Sequence, residues 1–156
     1  MCWLSKCYPL KRTASHHLIT YKIVNYTTPL KCRSLIMWFD YIYKHEYIEP
    51  SLEIKEHPFK CEWGIFKGFH SYTYLNRATK EYDTASSRRY NVALVECIIP
   101  KGSTFYRNEF DEIVSNRIIV NRILKTNASL PCAYNIIILF IIILLICFIL
   151  FKIFCS

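Results

Sequence analysis

Glycine is scarce, with three residues in 156, in a composition that is 53% apolar and 21% charged. That balance excludes a collagen-like chain, a coiled coil and an intrinsically disordered polar chain. The length leaves room for one modest domain and excludes a large multidomain enzyme. Paired cysteines are also missing. Cys2, Cys7, Cys32, Cys61, Cys97, Cys132, Cys147 and Cys155 form no Cys-x-x-Cys unit. His57-Pro58-Phe59-Lys60-Cys61, with His70 nearby, lacks the second paired element that a structural zinc site needs. No metal site is expected. The start, Met1-Cys2-Trp3-Leu4, is followed by lysines but by no sustained apolar core, so it does not read as an export signal.

What is present in excess is apolar length toward the C-terminus. Mean hydropathy is +0.15, high for a soluble domain, and much of the surplus lies beyond residue 135. Ile136 to Phe151 reads IIILFIIILLICFILF, with no charge, glycine or proline. As a helix this run spans about 24 Å. Ile153 and Phe154 extend it to about 28 Å once Lys152 reaches its amine toward the headgroups. A chain of this size cannot surround a helix that is apolar on every face. Residues 136–154 are therefore predicted to form a single C-terminal transmembrane helix. A lipid-anchor attachment signal fits less well, because Asn127-Ala128-Ser129 runs straight into Leu130-Pro131.

Orientation follows from charge. Arg117, Arg122 and Lys125 precede the span and Lys152 alone stands behind it, so the positive-inside bias places the body in the cytosol, a tail-anchored arrangement. Cytosolic thiols are expected to be reduced. The sequons at Asn25-Tyr26-Thr27 and Asn127-Ala128-Ser129 are expected to stay unmodified. Cys132 and Cys155 flank the span and are candidates for palmitoylation.

Formal net charge is +8 and the pI about 9.1. Lys152 is the only charge after residue 135, so the body is strongly basic by itself. A basic body beside a bilayer is drawn to anionic headgroups, at about 1 kcal/mol for each basic residue near the surface. Nucleic-acid binding is the sharper alternative, with twelve tyrosines as candidate stacking groups. However, Lys11-Arg12, Lys31 to Arg33 and Arg88-Arg89 are dispersed, and most tyrosines sit in strand-like stretches. The bilayer and its headgroups are the expected partners, and nucleic acid is not.

Along the body, residues 1–17 are polar and mixed, and are expected to be poorly ordered. Residues 18–124 read as a small α+β domain with a mainly antiparallel sheet and one or two helices. Leu18 to Val24 is a β-branched first strand. Leu35 to Ile48 fits neither period cleanly. A short strand around Leu52 and Ile54 lies between Pro50 and Pro58, and Gly64 and Gly68 mark turns around Ile65-Phe66. Ser71 to Tyr82 is predicted helical, with Leu75, Ala78 and Tyr82 on one face and Ser71 or Thr73 as cap. A polar loop covers 83–91. Val92 to Ile99 is a central strand stopped by Pro100, and Lys101-Gly102 turns the chain. Phe105-Tyr106, Ile113-Val114 and Ile118 to Val120 supply further strands, and 125–135 link the body to the span.

Lys67-Gly-Phe-His-Ser-Tyr-Thr-Tyr-Leu-Asn-Arg-Ala78, Cys97-Ile-Ile-Pro-Lys-Gly-Ser-Thr-Phe-Tyr106 and Asp111-Glu-Ile-Val-Ser-Asn-Arg-Ile-Ile-Val120 together resemble a small domain of phages and large DNA viruses. The likeness runs in order over about residues 19–122 and implies no assigned activity. The same order is similar, more faintly, to the ADP-ribosyltransferase fold, with its serine-bearing strand before a helix, its Pro-x-Gly turn and its glutamate ahead of an apolar strand. That similarity implies an NAD-using transferase in which Ser71 and Thr73 support the nicotinamide ribose pocket. Glu112 would stabilise the oxocarbenium-like centre and orient the nucleophile. The chain departs from that pattern at Tyr21-Lys22, where such enzymes commonly carry arginine or histidine, and at Phe110, two residues before Glu112. The plainer reading makes Ser71 a helix cap, Glu112 a solvated turn carboxylate and His70 a structural histidine. The sequence therefore predicts a non-enzymatic, membrane-anchored accessory protein of viral or phage type, without a cofactor. A divergent transferase is the first alternative and a nucleic-acid-binding module the second.

Overall fold

The computed structural model describes residues 3–5, 9–28, 30–35, 40–56, 63–65, 67–88 and 91–128. Among the described residues it is an α+β fold, mainly antiparallel sheet with one helix. The expected span at 136–154, Cys132, Cys155 and the His57/Cys61 pair lie outside the described residues. Among the described residues no helix is long and apolar enough to cross a membrane.

The strands are β1 (Trp3–Ser5), β2 (Arg12–Thr13), β3 (Leu18–Thr28), β4 (Lys31–Ser34), β5 (Asp40–Ile42), β6 (Glu46–Ile48) and β7 (Ile54–Glu56), then β8 (Trp63–Ile65) and β9 (Phe69–Tyr72). Helix α1 (Leu75–Ser86) follows, then β10 (Val92–Ile99), β11 (Thr104–Arg107), β12 (Glu112–Ser115) and β13 (Arg117–Thr126). The large sheet runs β2-β11-β12-β9-β3-β10-β13-β6, with β4 on β3 and β5 on β4, and β1-β8-β7 form a separate small sheet.

The apolar run from Val92 to Ile99 becomes the central strand because it is covered on both faces. All eight residues except Ile98 are buried. On one face Val92 and Leu94 meet Ile23 and the helical residues Ala78 and Tyr82. On the other, Ala93, Val95 and Cys97 pack with Val24, Cys32, Tyr41, Ile118 and Val120. The sheet curls around that second cluster. Tyr41 of β5 and Tyr47 of β6 stack edge to face at 5.3 Å, and Lys44 between them donates its backbone N–H to Val120 of β13 at 2.7 Å. Cys32 and Cys97 are buried free thiols there, raised by burial to about 11 and about 12.

Several expectations change. Residues 1–17 include two strands: β2 pairs with β11, and buried Ala14 exchanges backbone hydrogen bonds with Ser103 and Gly102. Gly64 lies inside β8, paired on both sides, so it marks no turn. Gly68 does, at φ +126, and it passes so close to Leu52 and Val114 that a Cβ would sit 2.6 Å from each. Ser71 lies in a strand rather than in a helix, because β9 pairs with β12 through Tyr72. The helix starts two residues later than Thr73, its N-cap Tyr74 makes no side-chain cap bond, and it runs on to Ser86 into the expected loop. β13 extends to Thr126, past the expected start of the linker.

Candidate functional site

β3 changes partner along one edge. It meets β9 at Tyr21↔Tyr72 and β4 from Val24 onward, while its other edge stays on β10. At the fork, Lys22 sends its amine across to the backbone carbonyl of His70 at 2.6 Å, and its Nζ lies 5.7 Å from the centroid of the Tyr41 ring. Burial lowers the Lys22 pKa, and the thiols of Cys97 and Cys32 are the ionisable groups that oppose this. His70 is held down to about 3, first by burial and then by the Lys22 charge.

Tyr21 and Tyr72 both pack toward α1. Their neighbours Thr20, Lys22 and Ser71 therefore face the other way, into the curled interior. Thr20 and Ser71 are buried, and the hydroxyls of Thr20, Ser71 and Thr73 have no hydrogen-bond partner among the described residues. Such groups are uncommon in folded proteins, since each costs about 1–3 kcal/mol when left unpaired.

Glu112 stands elsewhere. Its register partner on β9 is Tyr72, and that of Ser71 is Ile113, so Ser71 and Glu112 project from opposite faces of the sheet. The strands that carry Ser71 and Glu112 are neighbours, with Thr73 just past the end of β9, yet they do not bring Ser71 and Glu112 into one cleft. Glu112 is half-buried toward α1, where its Oε2 accepts from Asn108 Nδ2 at 2.9 Å and its backbone N–H donates to Asn108 Oδ1 at 2.9 Å. Burial raises its pKa, against the Asn108 hydrogen bond and the Arg77 charge, while Glu81 and Glu109 push the same way as burial. Tyr72 beside it is pushed up to about 12, by burial first and then by Glu112. Arg77 pairs with Glu81 at 3.0 Å.

An open groove of about 700 Å³ next to this group is lined by Tyr74, Leu75, Asn76, Arg77, Lys80 and Asp111. Glu112 does not line it. A second open groove, of about 1010 Å³, follows the outer side of α1 from Leu75 to Arg88. Among the described residues, no group of three or more His, Cys, Asp or Glu side chains is placed to hold a metal ion.

Sequence reasoning passed over Lys22 as a site residue. The signal was there: Thr20, Lys22 and Val24 occupy one side of a strand whose period-2 pattern buries them. Several basic residues among those described are held in ion pairs. Arg33, Arg107, Arg117, Arg122 and Lys125 each pair with a carboxylate, those of Asp40, Asp111, Glu46, Glu96 and Asp83. Comparison of the chain with protein-family models, with curated proteins and with solved structures gives no match.

Proposed function

We propose that this chain is a single-pass membrane protein, anchored through residues 136–154. In this reading its basic α+β body lies on the cytosolic side and works as a non-enzymatic accessory module of viral or phage type. The observation that carries the reading is the uninterrupted apolar run Ile136–Phe151, long enough for a thin bilayer. The position of the chain at the end of β13 supports it. Asn127 is tied to the body by its backbone N–H to Val92 O at 3.1 Å. Its Oδ1 accepts from Val92 N at 2.6 Å, and its Nδ2 donates to Ser86 O at 3.3 Å. The body is thus fixed right up to a short connection with the span. The separation of Ser71 from Glu112 on opposite faces supports the non-enzymatic part, and NAD has no role in it.

The test is extraction and topology. The full chain should sediment with membranes through high salt and alkaline carbonate, and deletion of residues 136–156 should release it. Protease added to intact microsomes should digest the body, and both sequons should stay unmodified. Stripping by carbonate would refute the anchor. A glycosidase-sensitive mass shift that depends on Asn25 or Asn127 would refute the orientation.

A further inference from the structure

Polar side chains collect on two neighbouring rungs of the sheet interior. β3 and β9 meet at Tyr21↔Tyr72. One step either way along that antiparallel register sets Lys22 opposite Ser71 and Thr20 opposite Thr73. The β9–β12 ladder carries on through Thr73, whose backbone N–H donates to Asp111 O at 2.8 Å, so Thr73 keeps the face of Ser71. Thr20, Lys22 and Ser71 are only 1%, 8% and 4% exposed. Thr73 is partly exposed, but its Oγ1 is enclosed. Opposite β-carbons on such rungs lie about 5 Å apart, and successive rungs on one face about 7 Å apart. A small group over the middle of the quartet therefore sits about 4 Å from each β-carbon, within hydrogen-bond reach of all three hydroxyls.

The donors of this quartet outnumber the acceptors they meet. Lys22 gives one proton to His70 O at 2.6 Å, and an ammonium has two more to give. The hydroxyls of Thr20, Ser71 and Thr73 add three donors without a partner among the described residues. The ionisable groups that act on Lys22 are the thiols of Cys97 and Cys32, which burial keeps protonated by raising them to about 12 and about 11. No carboxylate is among them. One positive charge with several free donors and no counter-charge suits a ligand with one negative charge and about four lone pairs, which is the count of a carboxylate. A dianion such as sulfate would bring a second, uncompensated charge into the interior. The surroundings are apolar and close: Val95 and Cys97 stand opposite Lys22 and Thr20 on β10, and Ile113 stands opposite Ser71 on β12. All three are buried.

We infer that Thr20, Lys22, Ser71 and Thr73 bind the carboxylate of a small monocarboxylic acid inside the curled sheet. The ammonium supplies the charge, and the three hydroxyls hold the two oxygens. Val95, Cys97 and Ile113 bound the site and limit the tail of the acid to a few carbons. Thr73, the partly exposed member, marks the side on which the acid enters. Binding favours the charged form of Lys22, because a carboxylate offsets the burial that otherwise disfavours it. The inference does not depend on the membrane anchor.

The experiment titrates the full chain, labelled with 13C-lysine and held in detergent micelles, with sodium acetate. Sodium chloride and sodium sulfate at matched ionic strength are the controls. The ε-methylene resonance of Lys22, assigned by correlation through its own side chain to the backbone, should move saturably with acetate. The thermal midpoint should rise over the same concentrations. Chloride and sulfate should produce neither response. Ser71→Ala and Thr20→Val should each raise the half-saturating acetate concentration about tenfold, since each removes a hydrogen bond to a charged group. Without acetate both variants should fold at least as stably as the parent, because each deletes a buried hydroxyl that has no partner. Loss of folding in both would show that the hydroxyls serve the fold, and would overturn the site. So would a Lys22 resonance that acetate leaves in place, a response shared equally by chloride or sulfate, or half-saturation unchanged in either variant.

Discussion

His70 should make the body acid-labile in a defined window. Its imidazole is mostly buried beside the fork at which Lys22 bonds to its carbonyl, and it is held down to about 3. In the unfolded chain an imidazole titrates near 6.5. Below that pH the unfolded state binds a proton that the folded state refuses, so stability falls as the pH falls and levels off near the folded value. At 1.36 kcal/mol per unit, the loss should be about 3 kcal/mol by pH 4 and about 4 kcal/mol by pH 3, where the folded imidazole is itself half protonated. Urea titrations of the full chain in detergent, followed by far-UV circular dichroism at a series of pH values, read this slope directly. His70→Gln shifts absolute stability by an amount of its own, so the slope is the quantity to compare. The carboxylates of Asp40 and Glu96, whose pKa values are lowered by Arg33 and Arg122, titrate in both proteins and cancel. The variant should lose most of the slope between pH 6.5 and 4. Equal slopes in the two proteins would show that His70 is solvated and that the fork is not dry.

Gly68→Ala should destabilise the body by about 2–4 kcal/mol in the same assay, since φ +126 strains any side chain and the new Cβ meets Leu52 and Val114; a loss under half a unit of that scale would mean this segment shifts freely. Glu112→Gln should leave stability at neutral pH within about 1 kcal/mol, because burial already disfavours the charge it removes. Glu112, raised by burial, binds its proton more readily when folded, so its own contribution to stability should grow as the pH falls through the carboxylate range and should vanish in the variant. Calorimetry with millimolar NAD should show no binding to either protein, and an activity abolished by Glu112→Gln with the fold intact would restore the transferase reading.

The residue order named Ser71, Thr73 and Glu112 together, and the sheet register separates Ser71 from Glu112. Ser71, Thr73 and Glu112 do fall on adjacent strands or just beyond one, as their order in the chain suggested. Which face each occupies depends on the pairing of β9 with β12, and a shift of one residue would have reversed it. Ser71 carried the cap chemistry expected at a helix start, but the ladder with β12 engages its backbone first, and the helix begins after it without a side-chain cap. The N-terminal stretch was misread for a related reason. Arg12 and Thr13 are too short a stretch to carry a period, and they are extended because the edge of β11 offers them a ladder.

The sequence by itself determined the local features whose cause is local. Val92 to Ile99 is apolar except for Glu96 and stops at Pro100, so it reads as a buried strand closed by the Lys101-Gly102 turn, where Gly102 takes φ +82. Composition likewise set the strongly basic body. The tertiary structure decided what depends on partners distant in sequence. It placed Lys22 at a fork where β3 leaves β9 for β4 and gave its amine the His70 carbonyl, 48 residues away. It also put Ser71 and Glu112 on opposite faces and tied the chain just after β13 to the end of α1 through Asn127 and Ser86. Period and propensity act over a few residues, whereas register between strands is fixed only when the whole sheet buries its faces together.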